Sequence, residues 1–530
     1  MLSDSILGKI DRIWGQSACF KLCSAVLSFF SNAWSSSFLR KVLYRLSGLG
    51  RMDNGARKSG GTNVRAAGAS VAAAKNAVSG VVNAYDSSAF VRIASGSALF
   101  RPGRISGIVF LVMFCVLHTA WRNWYALAAA AVLFVSVLIL SAAGRRPFPG
   151  AVDLGRPIIV FGVCCIISLL CSEAVYDSVR VLAFFASAFM FMWSAEAGIK
   201  DREALKEYLV WIYAAVMIVS LLGIAQKIAG VSVNASQTDL ALNPGIGRVC
   251  SSLENPNNLA EFLVLFSPLC AVFAASGRTA MQRLVLAVGL VLPVTALLLT
   301  YSRSGWLSAA LTAVIFVYFT RRRILPLIIV LAILAVPLLP SGVLLRLSNM
   351  FNPADTSADY RIRIWEATLR LLADQRRFIT GIGPGTATLA AQIQYFADEY
   401  VLSGIVHSQM LYLELIVEFG LLGAVSALLA FAVPSVRASF VLKRCDAASL
   451  PARVLAACVS SMAGMSLFGL FEYSWFYPRI LFGSFLLLGI MKAAMRMAEA
   501  EANSAQTGST AGDCRPQTLK RGLLVSEAQQ

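Results

Sequence analysis

Histidine is almost absent from this chain: two occur in 530 residues, one of them His407. Charge is scarce as well. Asp, Glu, Lys and Arg together make up 14% of the sequence, against 58% hydrophobic residues. A soluble domain cannot hide that much apolar surface, which excludes an ordinary water-soluble enzyme. The 11 cysteines form no Cys-x-x-Cys pair, and Cys115, Cys164, Cys165, Cys171 and Cys270 fall within apolar runs, so no disulfide framework can be argued. No basic segment is interleaved with aromatics on a soluble face, so the net charge of +18 implies no nucleic acid. Acidic clusters with metal-ligand spacing are lacking too: Asp355 and Asp359 are isolated, and neither a metal nor a cofactor is expected. No clear internal repeat accompanies the prolines at 293, 326 and 337, which disfavours a transporter or flippase built from broken-helix repeats.

What the chain has in abundance is apolar runs long enough to cross a hydrocarbon core of ~30 Å as helices. The reading is an all-α, polytopic transmembrane helical bundle of about twelve spans. They lie near 105–120, 124–143, 157–173, 179–195, 208–229, 257–275, 283–301, 304–320, 324–340, 408–433, 453–471 and 475–493. Basic residues orient them. Arg145, Arg146, Lys200, Arg202, Arg278, Arg321, Arg322, Arg323, Arg437, Lys443 and Arg444 fall in alternate loops, whereas the intervening short turns hold only Arg122, Arg303 and Arg479. Both ends are therefore expected inside, with loops 230–256 and 341–407 outside. The division expected is a basic, interfacial N-terminal extension with a flexible tether (1–103), nine spans (104–340), a large partly helical extracytoplasmic loop (341–407), three spans (408–495) and a disordered cytoplasmic tail (496–530). Lys9, Arg12 and Lys21 alternating with Ile6, Trp14 and Phe20 suit interfacial helices of the extension, and no signal-peptide cleavage pattern stands out.

Chemistry is expected in the outer loops and at their edges. His407 ends the long outer loop where a span begins, and imidazole titrates near neutrality. Arg303 sits in the turn Tyr301-Ser-Arg-Ser-Gly305 between two spans, either reaching lipid headgroups or holding an anion delivered by the membrane. The run from Tyr360 to Leu372 is an amphipathic helix, with Ile362, Trp365, Leu369 and Leu372 expected on its buried face. Arg361 lies about 60° from the centre of that face at 100° per residue, while Arg363 faces water. Stacking of Arg361 on Trp365 is the structural alternative to a catalytic role. Gly381-x-Gly383-x-Gly385 lacks the lysine of a phosphate loop and reads as a tight turn. Arg248 and Glu254-Asn-Pro-Asn-Asn258 form a polar cluster opening a span, with capping by Asn257 or Asn258 placed ahead of ligand contact. Glu414 and Glu418 fall inside the tenth span and are expected to face the bundle in structural pairings.

In order and spacing, Arg303, Arg361 with Trp365, the glycine turn, and His407 followed by Glu418-Phe-Gly-Leu-Leu-Gly423 resemble the O-antigen ligase and polymerase superfamily. The chain departs from that pattern at His407-Ser408, where an asparagine usually follows the histidine, and in its N-terminal extension. The resemblance implies a glycosyltransferase working at the extracytoplasmic face of the cytoplasmic membrane. It would move a glycan from undecaprenyl diphosphate to a hydroxyl of a glycan, lipid or protein acceptor, either as a ligase or as a repeat-unit polymerase. His407, Arg361 and Arg303 would be catalytic, with Arg248, Asn257, Trp365 and Tyr301 binding substrate. The arginines would hold the charge growing on the departing lipid diphosphate, and His407 would be either base or diphosphate ligand.

Overall fold

The computed structural model describes residues 102–142, 155–231, 247–339, 341–348, 356–397 and 407–512. The expectations for the N-terminal extension, for much of loop 230–256 and for residues 513–530 lie outside those residues. Contacts divide the chain into two units, Leu99–Val137 with Leu154–Gln530, and Met1–Ala98 with Leu138–Asp153. Of the second unit only residues 138–142, the end of a helix, are described; all that follows concerns the first.

Regular structure among the described residues is entirely helical. In chain order the helices are α1 (Pro102–Cys115), α2 (Asn123–Ala142), α3 (Gly155–Leu170), α4 (Val175–Gly198), α5 (Arg202–Ile228), α6 (Pro256–Ala275), α7 (Ala280–Gly289) and α8 (Val291–Leu299). They continue as α9 (Arg303–Arg321), α10 (Leu325–Ala335), α11 (Ser341–Ser348), α12 (Thr356–Asp374), α13 (Thr386–Ile393), α14 (Leu411–Leu442), α15 (Leu450–Phe468) and α16 (Pro478–Gly512). Their ends obey local chemistry. Asp201 caps α5 through the Ala204 N–H at 2.8 Å, Ser302 caps α9 through Gly305, and Ser449 caps α15 just before Pro451.

Seven segments are long and apolar enough to cross a membrane: Val175–Gly198, Arg202–Ile228, Pro256–Ala275, Ala280–Leu299, Leu411–Leu442, Leu450–Phe468 and Pro478–Ser504. Three shorter apolar helices, Arg104–Cys115, Asn123–Ser136 and Arg156–Leu170, accompany them. This is a membrane protein. The predicted twelve-span count is not reached among the described residues: α1 and α3 have 14 and 16 residues, α9 opens on a polar turn and α10 has 11 residues. Such a helix satisfies its own backbone, which is what the interior of a bilayer demands.

Small residues allow the helices to approach closely. α4 packs along α16, α1 along α5, α3 along α14 and α9 along α15, with α6 between α5 and α15. A Cβ on Gly464 of α15 would meet the Ser308 carbonyl of α9 at 2.9 Å. At one end of the bundle charges pair in a belt. Glu196 meets Lys492 at 3.1 Å and Arg496 at 3.0 Å, Arg437 meets Glu499 at 3.0 Å, and Arg202 meets Glu501 at 2.8 Å. These pairs, with Met495 and Ala498 buried, hold α16 as far as Glu501, and the helix runs to Gly512. The tail predicted to be disordered from 496 is thus helical over its first part.

A second, smaller core joins α12, α13 and the start of α14 through Ile364, Leu371, Leu372, Ile382, Leu389, Leu413 and Val417. It depends on a break in α14, where Gly420 adopts φ 71° and ψ 171°. The freed Leu421 N–H donates to the Phe378 carbonyl at 2.7 Å, and the Ile382 N–H donates to Val417 at 2.8 Å. The turn carrying Gly381, Gly383 and Gly385, all at positive φ, therefore docks into the gap in α14. Only glycine occupies that backbone region without strain, and a Cβ on Gly420 would collide with the Ile379 carbonyl. Gly420→Ala is expected to cost about 1–3 kcal/mol. A lowered unfolding midpoint of the purified protein in detergent is the predicted result; an unchanged midpoint would contradict this docking.

Candidate functional site

At the end of the bundle away from the ion-pair belt, four segments converge: residues 247–257, the turn 300–303, the segment 407–410 and the turn 469–477. The first is threaded into the bundle by its own polar groups. Gln226 accepts from the Cys250 and Ser251 N–H groups at 3.0 and 2.9 Å, Lys227 donates to the Gly247 carbonyl at 2.8 Å, and Ser252 Oγ donates to Phe114. Arg479, fully buried at the start of α16, locks the same segment. Its Nε lies 3.0 Å from Glu254, Nη1 donates to the Val116 and Ser252 carbonyls, and its guanidinium stacks 4.3 Å from the Trp121 ring centroid.

This framework fixes Arg248, which is 9% exposed. Its Nε donates to the Thr300 carbonyl at 2.8 Å and its Nη2 to Asn257 Oδ1 at 3.0 Å. Asn257 Nδ2 in turn donates to Glu472 Oε2 at 2.7 Å, and Glu472 Oε1 lies 3.7 Å from His407 Nε2. A chain of polar groups thus runs from Arg248 through Asn257 and Glu472 to His407, across elements more than 200 residues apart in sequence. The expected capping role of Asn257 or Asn258 is corrected here. Asn255 caps α6, accepting from the Asn258 N–H at 2.9 Å, because Pro256 at the first helical position leaves the preceding residue as cap. Asn257, one turn position later, points its amide into the site.

His407 is 6% exposed and packed against Phe476 and Tyr473, with ring centroids 4.9 and 5.7 Å away. Its Nδ1 accepts from the Gln409 N–H at 3.0 Å, a contact made possible by the positive φ of Gln409. A backbone N–H can only donate, so the ring proton sits on Nε2 and faces Glu472. Burial lowers the imidazole pKa from its ordinary value; Glu472 opposes that shift and the positive charge of Arg361 adds to it. His407 is accordingly neutral at pH 7.

Trp365 ties α12 to this loop, its Nε1 donating to the Ser408 carbonyl at 2.9 Å. The Ser408 N–H donates to Glu414 at 2.6 Å, while Glu418 accepts from the Gly385 N–H at 3.1 Å and from the Tyr473 hydroxyl at 2.6 Å. Both glutamates thus have structural partners facing the bundle. The face of α12 differs from the prediction. Ile362 and Leu369 are 52% and 47% exposed, and the buried residues are Ile364, Ala367, Thr368, Leu371 and Leu372. Packing onto the glycine turn and α14 selects the face bearing small Ala367 and Thr368, which the spacing of the larger apolar residues did not include. Arg361 borders this buried face too, on its other side, and is half-buried; Arg363 pairs with Asp359 in the open at 2.7 Å.

Of the predicted site residues, Arg248 and Asn257 are bonded to each other, His407 joins them through Glu472, Trp365 bonds the Ser408 carbonyl next to His407, and the charge of Arg361 acts on the imidazole. Tyr301 and Arg303 occupy the adjoining turn: Arg303 is half-buried at the start of α9, and the Tyr301 ring is packed beside Lys227 and Trp306. Sequence reasoning missed Glu472. Its signal was a carboxylate in an aromatic turn, Phe471-Glu-Tyr-Ser-Trp-Phe-Tyr477, between two apolar spans. Two cavities adjoin the site. One of about 640 Å³ runs from Leu411 and Trp475 down an apolar channel past Phe431, Val436, Val459 and Met462. The other, about 190 Å³, is lined by Glu254, Glu414, Glu418, Tyr473, Phe476 and Tyr477.

Residues 288–428 match the family model described as O-antigen ligase. The matched segment includes Tyr301, Arg303, Arg361, Trp365, the glycine turn and His407, but not Arg248, Asn257 or Glu472. No curated protein matches the chain.

The histidine environment is directly measurable. With His118 replaced by Asn, a single labelled histidine remains, and its NMR titration midpoint is expected below the ordinary value of about 6.5. A depressed folded-state pKa means that His407 supports the fold above pH 6.5, and that this support is lost as acid forces a proton onto the buried ring. A midpoint at or above 6.5 would contradict the geometry described for Gln409.

Proposed function

We propose that this membrane protein with an O-antigen ligase domain is a glycosyltransferase acting at the extracytoplasmic face of the cytoplasmic membrane. It transfers a glycan from undecaprenyl diphosphate to an acceptor hydroxyl, without a metal ion. The observation that carries the reading is the buried polar chain Arg248–Asn257–Glu472–His407, with Arg361 beside it, at one end of an apolar bundle. Fixed polar groups of this kind, held where water is excluded, suit stabilisation of charge that develops during reaction.

In the reaction the acceptor oxygen attacks the anomeric carbon, the bond to the diphosphate breaks, and the lipid diphosphate leaves with the bonding electrons. Arg303 and Arg361 hold the growing negative charge, for which a guanidinium fork is well shaped. Arg248 and Asn257 set the position of the site, and Trp365 seats the His407 loop on α12. The apolar channel below Trp475 fits a polyprenyl tail by its chemistry, and the smaller cavity, lined by carboxylates and aromatic rings, suits a sugar. Twelve crossings with both ends inside, as the Lys and Arg pattern supports, would place the site at the extracytoplasmic surface. A repeat-unit polymerase would run the same chemistry on a lipid-linked acceptor.

The test is the glycan of a strain lacking the gene, complemented by variants shown to insert normally. His407→Ala and Arg361→Ala should each reduce transfer by roughly 10²–10³-fold. Long chains left on undecaprenyl diphosphate in the deletion strain indicate a ligase, and single-repeat glycans a polymerase. Full rescue by both variants would sink the proposal.

A further inference from the structure

Glu472 lies in the turn between α15 and α16, outside the segment matched by the ligase family, and the chemistry above leaves it without a role. Its surroundings restrict what it can do. An arginine only donates hydrogen bonds, so Arg248 fixes the Asn257 amide with its oxygen toward the guanidinium and its nitrogen toward Glu472. Glu472 Oε2 is thereby occupied as an acceptor. Oε1 remains, directed at His407 Nε2 across 3.7 Å, too far for a direct hydrogen bond. An oxygen set off that axis reaches both atoms at about 2.8 Å, an ordinary hydrogen-bond distance.

The two sides of this gap are not equivalent. On one, the Gln409 N–H holds Nδ1 as an acceptor and leaves His407 presenting an N–H. On the other stands a carboxylate with one oxygen uncommitted to Asn257. A hydroxyl seated between them receives a hydrogen bond from His407 and points its own proton at Glu472. Resting on the transferase reading, we infer that Glu472, and not His407, accepts the proton of the acceptor hydroxyl, while His407 holds the nucleophilic oxygen in line as a donor. The balance closes: the acceptor O–H proton passes to Glu472 Oε1, the oxygen forms its bond to the anomeric carbon, and the diphosphate departs with the electrons of the broken bond.

Substitutions separate the two assignments. Glu472→Gln preserves volume and a partner for Asn257 but removes the basic oxygen. It is expected to reduce glycan transfer in the complemented strain by at least about 10²-fold. Its unfolding midpoint, measured on the purified full-length protein, should match wild type, and its affinity for undecaprenyl diphosphate should stay within about twofold. Glu472→Asp, retaining a carboxylate, should recover part of the activity. His407→Gln supplies an N–H donor where Nε2 stood, and is expected to be at least about tenfold more active than His407→Ala. Transfer by Glu472→Gln near the wild-type rate, or His407→Gln as inactive as His407→Ala, would return the base role to His407 and overturn the inference. If wild type itself neither binds undecaprenyl diphosphate nor restores the glycan, the transferase reading fails first.

Discussion

The rest of this structure depends on the burial of charge at one end of an apolar bundle. Arg479 is fully enclosed, Arg248 is 9% exposed and Glu472 is 7% exposed, each at the mouth of helices otherwise lined by Leu, Phe, Val and Ala. A charged group in such surroundings costs several kcal/mol unless it is paired or hydrogen-bonded. Each of these side chains is therefore tied to several elements, and the ties hold four separate segments in one place. Arg479 joins the end of α1, the segment before α6 and the start of α16; Arg248 joins that segment to the turn before α9 and, through Asn257 and Glu472, to His407.

The smaller core around the glycine turn works differently, through backbone rather than charge. Gly420 interrupts α14, and the groups released by the interruption are taken up by the residues between Phe378 and Gly385. This places α12 against the His407 loop, where Trp365 holds the Ser408 carbonyl and the charge of Arg361 acts on the imidazole. Rigid placement matters for the proposed transfer, since interactions that favour a transition state act only if they need not reorganise during the reaction. The polar chain and the docked turn both supply that rigidity at one end of the bundle.

Much of this was legible in the sequence. Apolar run length marked the helices, and the rarity of histidine directed attention to His407. Arg248 and Asn257 stood out as polar residues opening a span. Arg361 was expected at the edge of the face carrying Ile362 and Leu369; it borders instead the neighbouring face of Ile364, Ala367 and Leu371, which is the buried one. What was hidden has a common physical cause, namely dependence on partners remote in sequence. The buried face of α12 was set by the glycine turn it packs on, and Ala367 and Thr368 carried no signal for that. Asn255 took the cap because Pro256 fixed where α6 begins. Past residue 496, Glu499 and Glu501 of α16 find arginines on α14 and α5. Glu472 meets His407 only once α15 has returned the chain to the same end of the bundle.

The most direct test of the central claim is the release of undecaprenyl diphosphate by the purified protein. The assay would supply lipid-linked glycan donor and acceptor from membranes of the strain lacking the gene. Release that requires both the protein and the acceptor, in step with the appearance of transferred glycan, is the predicted result. Donor that stays intact while wild-type protein, folded and bound to undecaprenyl diphosphate, is present with acceptor would contradict the account.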